Sequence, residues 1–218
     1  MQNLMEYRVR SRISHEELDS KVGHIITDDD YNILLTGPTK VLLPSGEPLC
    51  VYLPKAIPPE VCEQAYPILK SSSAFTSDNR GNASGSLSVY ANKQERFRMV
   101  ASSIIGNFDP KGGGRYPYCR QTFWTARNAD KFHSLYPLFE QVAGFMEENV
   151  PERYKAQMQR VQRTLPEWRI GGTPFTTFTV NNTYPTGVHQ DKGDLKEGFS
   201  CLMCIRKGDY TGGYLSFP

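Results

Sequence analysis

Apolar residues along this chain keep helical spacing through much of the first 160 residues and then change period. Val61, Ala65, Ile68 and Leu69 recur three and four apart, one face of a helix. Pro58 and Pro59 stand at its start, where a missing N–H costs nothing. Phe97, Val100, Ala101, Ile104 and Ile105 repeat the pattern and predict a helix from about Lys93 to Ile105, with Lys93, Arg96 and Arg98 mostly off the stripe. Leu135, Phe139, Val142, Ala143 and Met146 predict a helix over Ala129 to Asn149, bent or restarted at Pro137. A shorter helix follows Pro151, its flank carrying Arg153, Lys155, Arg160 and Arg163, and Ser14 opens a short polar one over residues 14–20. Three short strands are predicted early, at Tyr31 to Leu35, Lys40 to Leu43 and Leu49 to Leu53, with Gly37-Pro38 and Ser45-Gly46 as turns. From Thr173 the spacing shortens. TPFTTFTV is dense in β-branched and aromatic residues, and SCLMCIR and GGYLSF read as further strands.

Helices followed by antiparallel strands predict an α+β fold. The expected architecture is a double-stranded β-helix (a jelly roll of the cupin-like kind) with a supporting helical layer. The last predicted strand has no follower, so the barrel reads as incomplete at the C-terminus, with an unsatisfied edge.

Two long irregular stretches interrupt this frame. Residues 71–86, SSSAFTSDNRGNASGS, read as disordered or as a binding element over a rigid domain. Arg80 within them is either a solvated arginine or a ligand for a phosphate or carboxylate. Residues 106–126 hold Lys111, three consecutive glycines and Arg115, without the spacing of a nucleotide-binding loop. Here Tyr116, Tyr118, Phe123 and Trp124 interleave with Arg115 and Arg120. Such residues stack bases and hold phosphates, or they form the start of a core strand.

Composition narrows the classes. Hydrophobic residues make up 39% and charged residues 22%, which suits a globular domain. No apolar run is long enough for a transmembrane helix, and the polar opening MQNLMEYRVRSR lacks the apolar core of a signal peptide. Nuclear or cytoplasmic, non-secreted residence is therefore expected, with no membrane partner. Cys50, Cys62, Cys119, Cys201 and Cys204 are too few and too odd in number for a disulfide framework. Cys201 and Cys204 lie three apart in a predicted strand and are expected to be ordinary buried cysteines. Residues 1–105 carry 11 basic and 12 acidic side chains, against 14 and 11 over residues 106–218. The basic excess of the second half suits a phosphate-backbone partner without requiring one.

The chemistry concentrates in TGVHQDKGD, residues 186–194. His189 and Asp191 are two apart, so on an extended backbone they face one side. An imidazole and a carboxylate make two thirds of the set that holds non-heme Fe(II) with open positions for O2 and a co-substrate. The third member is normally a histidine later in the chain. The histidines are His15, His24, His133 and His189, and none follows the pair. His133 reads as a packing or surface residue.

The stretch from Thr173 to Pro218, with DYNILLTGPTK at 30–40, TSDNRGNASG at 76–85 and PYCRQTFWTARNADKF at 117–132, resembles the iron-dependent dioxygenases that oxidise pyrimidine methyl groups in nucleic acid. These are the relatives of the ten-eleven-translocation enzymes and the base-J thymidine hydroxylases. The branch most resembled has viral, bacterial and algal members. The resemblance implies a dioxygenase domain over residues 28–218 after an N-terminal extension, residues 1–27. It implies His189 and Asp191 as iron ligands and Asp194 as an acidic residue meeting co-substrate or substrate. It places Asn181 at the pocket, and Arg80 and Arg120 against a co-substrate carboxylate or DNA. It also implies oxidation of the 5-methyl group of 5-methylcytosine or thymine in DNA, with Fe(II), O2 and 2-oxoglutarate. The algal member instead uses ascorbate and transfers a glyceryl group to 5-methylcytosine, an outcome the motif equally allows. Family members continue past the final FP with strands bearing the second histidine and a basic residue for 2-oxoglutarate. Three alternatives are then open: this chain is a fragment; it is a short, inactive DNA-binding form; or a second chain completes the barrel. A related dioxygenase acting on a non-DNA substrate is the remaining reading.

Overall fold

The computed structural model describes residues 4–10, 13–78, 80–87, 96–108, 119–191, 195–209 and 211–217. Strand β1 (Met5–Arg8) runs parallel to β2 (Thr39–Leu42), which pairs antiparallel with β3 (Pro48–Tyr52). The β2–β3 turn closes through Gly46, whose φ of 91° a side-chain-bearing residue would resist. The predicted strand at Tyr31 to Leu35 is not formed. Both edges of β2 are taken by β1 and β3, and Ile33 and Leu34 stay exposed. Between these pieces lie α1 (His15–Ser20), capped by the Ser14 hydroxyl accepting from the Glu17 N–H, and a 3-10 turn at Asp28–Asp30.

Helix α2 (Pro59–Ser72) buries Ala65 and packs Val61, Ile68 and Leu69 on the main core, as its spacing predicts. The serine-rich stretch after it is ordered where described. It forms the two-residue β4 (Thr76–Ser77) and a 3-10 turn at Gly81–Ser84, with Ser73, Ala83 and Ser84 buried. Strands β5 (Ser86–Leu87) and β6 (Arg96–Phe97) form a small pair.

The predicted helix ending at Ile105 is overturned, and its first residues, Lys93 to Glu95, lie outside the described residues. Val100–Phe108 is the nine-residue strand β7, the centre of the second sheet. Its apolar stripe fits helical spacing by coincidence. Val100, Ile104 and Ile105 are β-branched and favour an extended chain. Gly106 then adopts φ 104°, and a Cβ there would run into the Thr176 carbonyl oxygen. Strand β7 pairs with β4, with β8 (Arg120–Gln121) and with β9 (Thr177–Asn181).

Helices α3 (Phe123–Arg127), α4 (Ala129–His133), α5 (Tyr136–Asn149) and α6 (Pro151–Val161) follow β8. The helix predicted over Ala129 to Asn149 does restart before Pro137, which falls in the first turn of α5. Phe132, Leu135, Leu138, Phe139, Val142 and Met146 are buried there, and Phe139 stacks on Phe178 of β9 at 4.1 Å. One face of the β7–β9 pair therefore carries Ile105, Phe178 and Val180 onto the helices. The other, with Ser102, Ile104, Thr179 and Asn181, stays open.

SCLMCIR and GGYLSF are not strands among the described residues, Tyr210 lying outside them. The predicted alternation is nonetheless real: Phe199, Cys201, Met203 and Ile205 pack against the core, while Leu202 is 74% exposed. What the stretch lacks is a ladder partner. Cys201 is half-buried, and burial pushes its thiol up to about 11, whereas Cys204 is exposed rather than buried. The protein is thus a mixed α+β fold whose small sheets are not closed into a barrel among the described residues, an incomplete jelly-roll core with helices against one face.

Candidate metal centre

Strand β9 delivers the chain to the motif. Past Asn181 the Asn182 N–H still donates to the Ala101 carbonyl at 2.8 Å, and Thr183 then turns with φ 52°. Backbone contacts with two other segments hold the Gly187–Val188 approach in place. The Gly187 N–H donates to the Ala83 carbonyl at 3.1 Å, tying the motif to the Gly81–Ser84 turn and so to the loop bearing Arg80. The Val188 N–H donates to the His24 carbonyl, and the Gly23 N–H donates to the Val188 carbonyl, both at 2.8 Å. Ile25 and Gly187 form an antiparallel bridge.

His189 lies 25% exposed at the end of this brace. Its Nδ1 stands 2.7 Å from the Gly187 carbonyl oxygen. A carbonyl only accepts, so Nδ1 donates, and in the tautomer with a single ring proton the lone pair lies on Nε2. That Nε2 faces Asp191 Oδ1 at 3.4 Å. Two electron-pair donors so placed suit a cation between them. Ligands at 2.0–2.2 Å from a metal and at right angles stand about 3 Å apart. The donor set therefore fits two neighbouring positions around Fe(II). Among the described residues no group of three His, Cys, Asp or Glu side chains completes a metal site. Asp194 lies outside the described residues, as do Lys111, Arg115, Tyr116 and Tyr118.

Arg80 is partly buried, its Nε buried without a hydrogen-bond partner, and its guanidinium makes no ion pair among the described residues. An arginine in that state costs folding free energy unless an anion arrives. Asn181, exposed at the end of β9, accepts from the Ser102 hydroxyl at 2.8 Å and the Tyr184 hydroxyl at 2.9 Å through its Oδ1. The structure thus brings His189 and Asp191 together and ties the turn after Arg80 to their motif through Gly187 and Ala83. Arg120 is placed at the other end of β7: it pairs with Phe108, six residues along the strand from Ser102, a contour length of roughly 20 Å at ~3.3 Å per residue that crosses the bend at Gly106.

Sequence reasoning passed over the residues that brace the motif. Asp30 holds the segment before β2: its carboxylate accepts from the Thr27 N–H at 2.8 Å, from His24 Nε2 at 2.9 Å and from Lys21 Nζ at 3.4 Å. The Thr27 N–H, then His24, keep that carboxyl well below the usual carboxylate range. The signal was the T-x-x-D spacing of Thr27 and Asp30, a capping box.

Residues 103–218 match the model of the Tet_JBP family, described as the oxygenase domain of the 2OGFeDO superfamily. The match takes in more than half of the chain and the whole His189–Asp191 motif. The chain belongs to this family. Among curated relatives of this Tet_JBP domain, the thymine dioxygenase JBP1 of Crithidia fasciculata is 30% identical over 172 residues, 79% of this chain and 19% of that protein. JBP1 of Leishmania tarentolae is 34% identical over 116 residues, 53% of this chain and 14% of that protein. The bifunctional helicase and thymine dioxygenase JBP2 of Trypanosoma brucei brucei is 27% identical over 201 residues, 90% of this chain and 17% of that protein. The chain spans about a fifth or less of the length of these relatives. No solved structure matches. Family membership classes the domain with the iron- and 2-oxoglutarate-dependent oxygenases, and no helix among the described residues is long and apolar enough to cross a membrane.

Proposed function

We propose that this domain takes part in Fe(II)-dependent oxidation of the 5-methyl group of a pyrimidine, 5-methylcytosine or thymine, in DNA, with 2-oxoglutarate as co-substrate. The observation that carries the reading is the His189–Asp191 pair, with Nε2 and Oδ1 3.4 Å apart and the histidine's Nδ1 2.7 Å from the Gly187 carbonyl oxygen. The thymine dioxygenase relatives favour a pyrimidine methyl over other substrates. When bound, Fe(II) supplies the activation of O2 that a methyl C–H bond requires and side-chain acid–base chemistry cannot provide.

The protein's own residues divide the remaining work. His189 Nε2 and Asp191 Oδ1 hold the metal. Arg80, in no ion pair among the described residues, receives a co-substrate carboxylate. Asn181, its oxygen fixed by Ser102 and Tyr184, presents N–H donors to a group on the open face. Asp194 follows the ligands by three residues and takes a polar contact to co-substrate or substrate. A duplex base is out of reach of such a site, so the target is extruded into it. We read residues 28–218 as the oxygenase domain and residues 1–27 as an extension whose Gly23–Ile25 segment braces the motif.

An anaerobic Fe(II) titration, with 2-oxoglutarate or ascorbate added, tests this reading through the visible charge-transfer band and calorimetry. Stoichiometric binding that weakens at least tenfold in His189→Ala and Asp191→Ala is expected, by analogy with the roughly 10–100-fold losses from disturbed metal surroundings. Equal binding by wild type and the double variant would overturn it. A response to ascorbate alone would move the chemistry toward glyceryl transfer.

A further inference from the structure

Two guanidinium–aromatic pairs have their arginines within eight consecutive residues, Arg120 to Arg127, and the first reaches back to Phe108 of β7. The Arg120 guanidinium carbon lies 4.7 Å from the centre of the Phe108 ring, and that of Arg127 lies 3.9 Å from the centre of the Phe123 ring. Phe123 is 70% exposed. Leaving so large an apolar ring in water forfeits stabilisation that burial would give. Both arginines are exposed as well, and among the described residues neither is in an ion pair.

This exposure does not come from a loose segment. The Gly106 N–H donates to Thr125 Oγ1 at 2.8 Å, and the Thr122 N–H donates to the Gly106 carbonyl at 2.9 Å. Thr122 and Thr125 are buried, and Trp124, the neighbour of Phe123, packs against the core. The ledge is therefore pinned to β7 from beneath while Phe123, Arg120 and Arg127 face water. Stacking on a ring fixes a guanidinium and leaves its N–H edge free for phosphate oxygens. A ring with one face open, next to two cations, offers the elements that hold a nucleic-acid strand: a π-surface for an unstacked base and donors for the flanking phosphates.

We infer that the Arg120–Arg127 segment is a docking ledge for a nucleic-acid strand, with Phe123 stacking an unpaired base and Arg120 and Arg127 contacting phosphates. This rests on the nucleic-acid reading above and adds a surface about 20 Å along β7 from the Ser102–Asn181 pair.

The test is fluorescence anisotropy of the 218-residue chain with a short labelled single-stranded DNA, and with the matching duplex, over a range of salt. Phe123→Ala is expected to weaken single-strand binding about tenfold, and Phe123→Trp to retain it. Arg120→Gln and Arg127→Gln are each expected to lower the slope of log affinity against log salt by about 0.7. Wild-type affinity and salt slope in all of these variants would overturn the ledge, as would the absence of salt-dependent binding by the wild type. No iron, co-substrate or turnover enters this titration. A failed ledge therefore leaves the metal reading standing, and a failed iron titration leaves the ledge standing.

Discussion

The backbone N–H of Val188 donates to the carbonyl of His24 at 2.8 Å, one residue before the metal motif's histidine. The position of His189 thus depends on an N-terminal segment that is itself clamped by Asp30 through Thr27, His24 and Lys21. Asp30→Ala is expected to lower Fe(II) affinity about tenfold, the scale of a lost outer support, while far-ultraviolet dichroism stays unchanged. Hydrogen exchange at the Val188 amide should quicken in the same variant. Unchanged exchange together with unchanged iron affinity would dissociate the clamp from the motif.

The same carboxylate gives a pH signature. Its pKa in the folded protein lies well below the usual range, the Thr27 N–H being the largest cause. A depressed acid adds stability that is fully present above its unfolded value of about 3.9 and is lost as pH falls toward the folded value. The stability difference between wild type and Asp30→Asn should shrink on acidification below about pH 4. Urea unfolding across that range measures it.

Ser102 and Tyr184 both donate to the Asn181 oxygen. Removing both donors in Ser102→Ala/Tyr184→Phe should cost about 1 kcal/mol, since the sites are exposed and each such bond is worth only about 0.5–1.5. Iron affinity should stay at the wild-type value. If it falls as far as in Asp191→Ala, the network holds the metal pair directly rather than the open face.

Gly106 is the position in β7 least able to accept a side chain. Gly106→Ala forces a left-handed φ on alanine and drives its Cβ against the backbone of Thr176. A loss of about 3 kcal/mol in denaturant unfolding is expected, with the β7–β9 register disturbed. A loss below about 1 kcal/mol would mean that the bend relaxes without cost.

Local signals were legible where the physics was local. Ser14 as a cap, Pro59 at a helix start, the restart before Pro137 and the β-branched run through Val180 each fix an element with nearby residues alone. The spacing of His189 and Asp191 likewise showed in the sequence, and the structure brings their Nε2 and Oδ1 within 3.4 Å. What failed depended on distant partners. Strand β7 looked helical because Val100, Ile104 and Ile105 keep helical spacing, and only pairing with β9, some seventy residues on, sets the chain as a strand with Ile104 and Ile105 on opposite faces. The Tyr31 to Leu35 strand was lost to β1, which no local pattern placed beside β2. Residues 199–205 alternate as a strand should, yet alternation reports burial and not pairing. The exposure of Phe123 beside a buried-facing Trp124 was equally invisible, because adjacent aromatics give no sign of which one turns outward.

The bracing of Val188 by His24 joins residues far apart in the chain, and that fixes when the metal pair can exist. Loop closure over so long a span is entropically late, because intervening elements must condense before the two segments meet. During synthesis the Gly23–Ile25 segment emerges early and waits for a partner made only after all the helices between them. Iron affinity in a refolding experiment should therefore appear after helical signal and core fluorescence have recovered, as a clock for the final docking step.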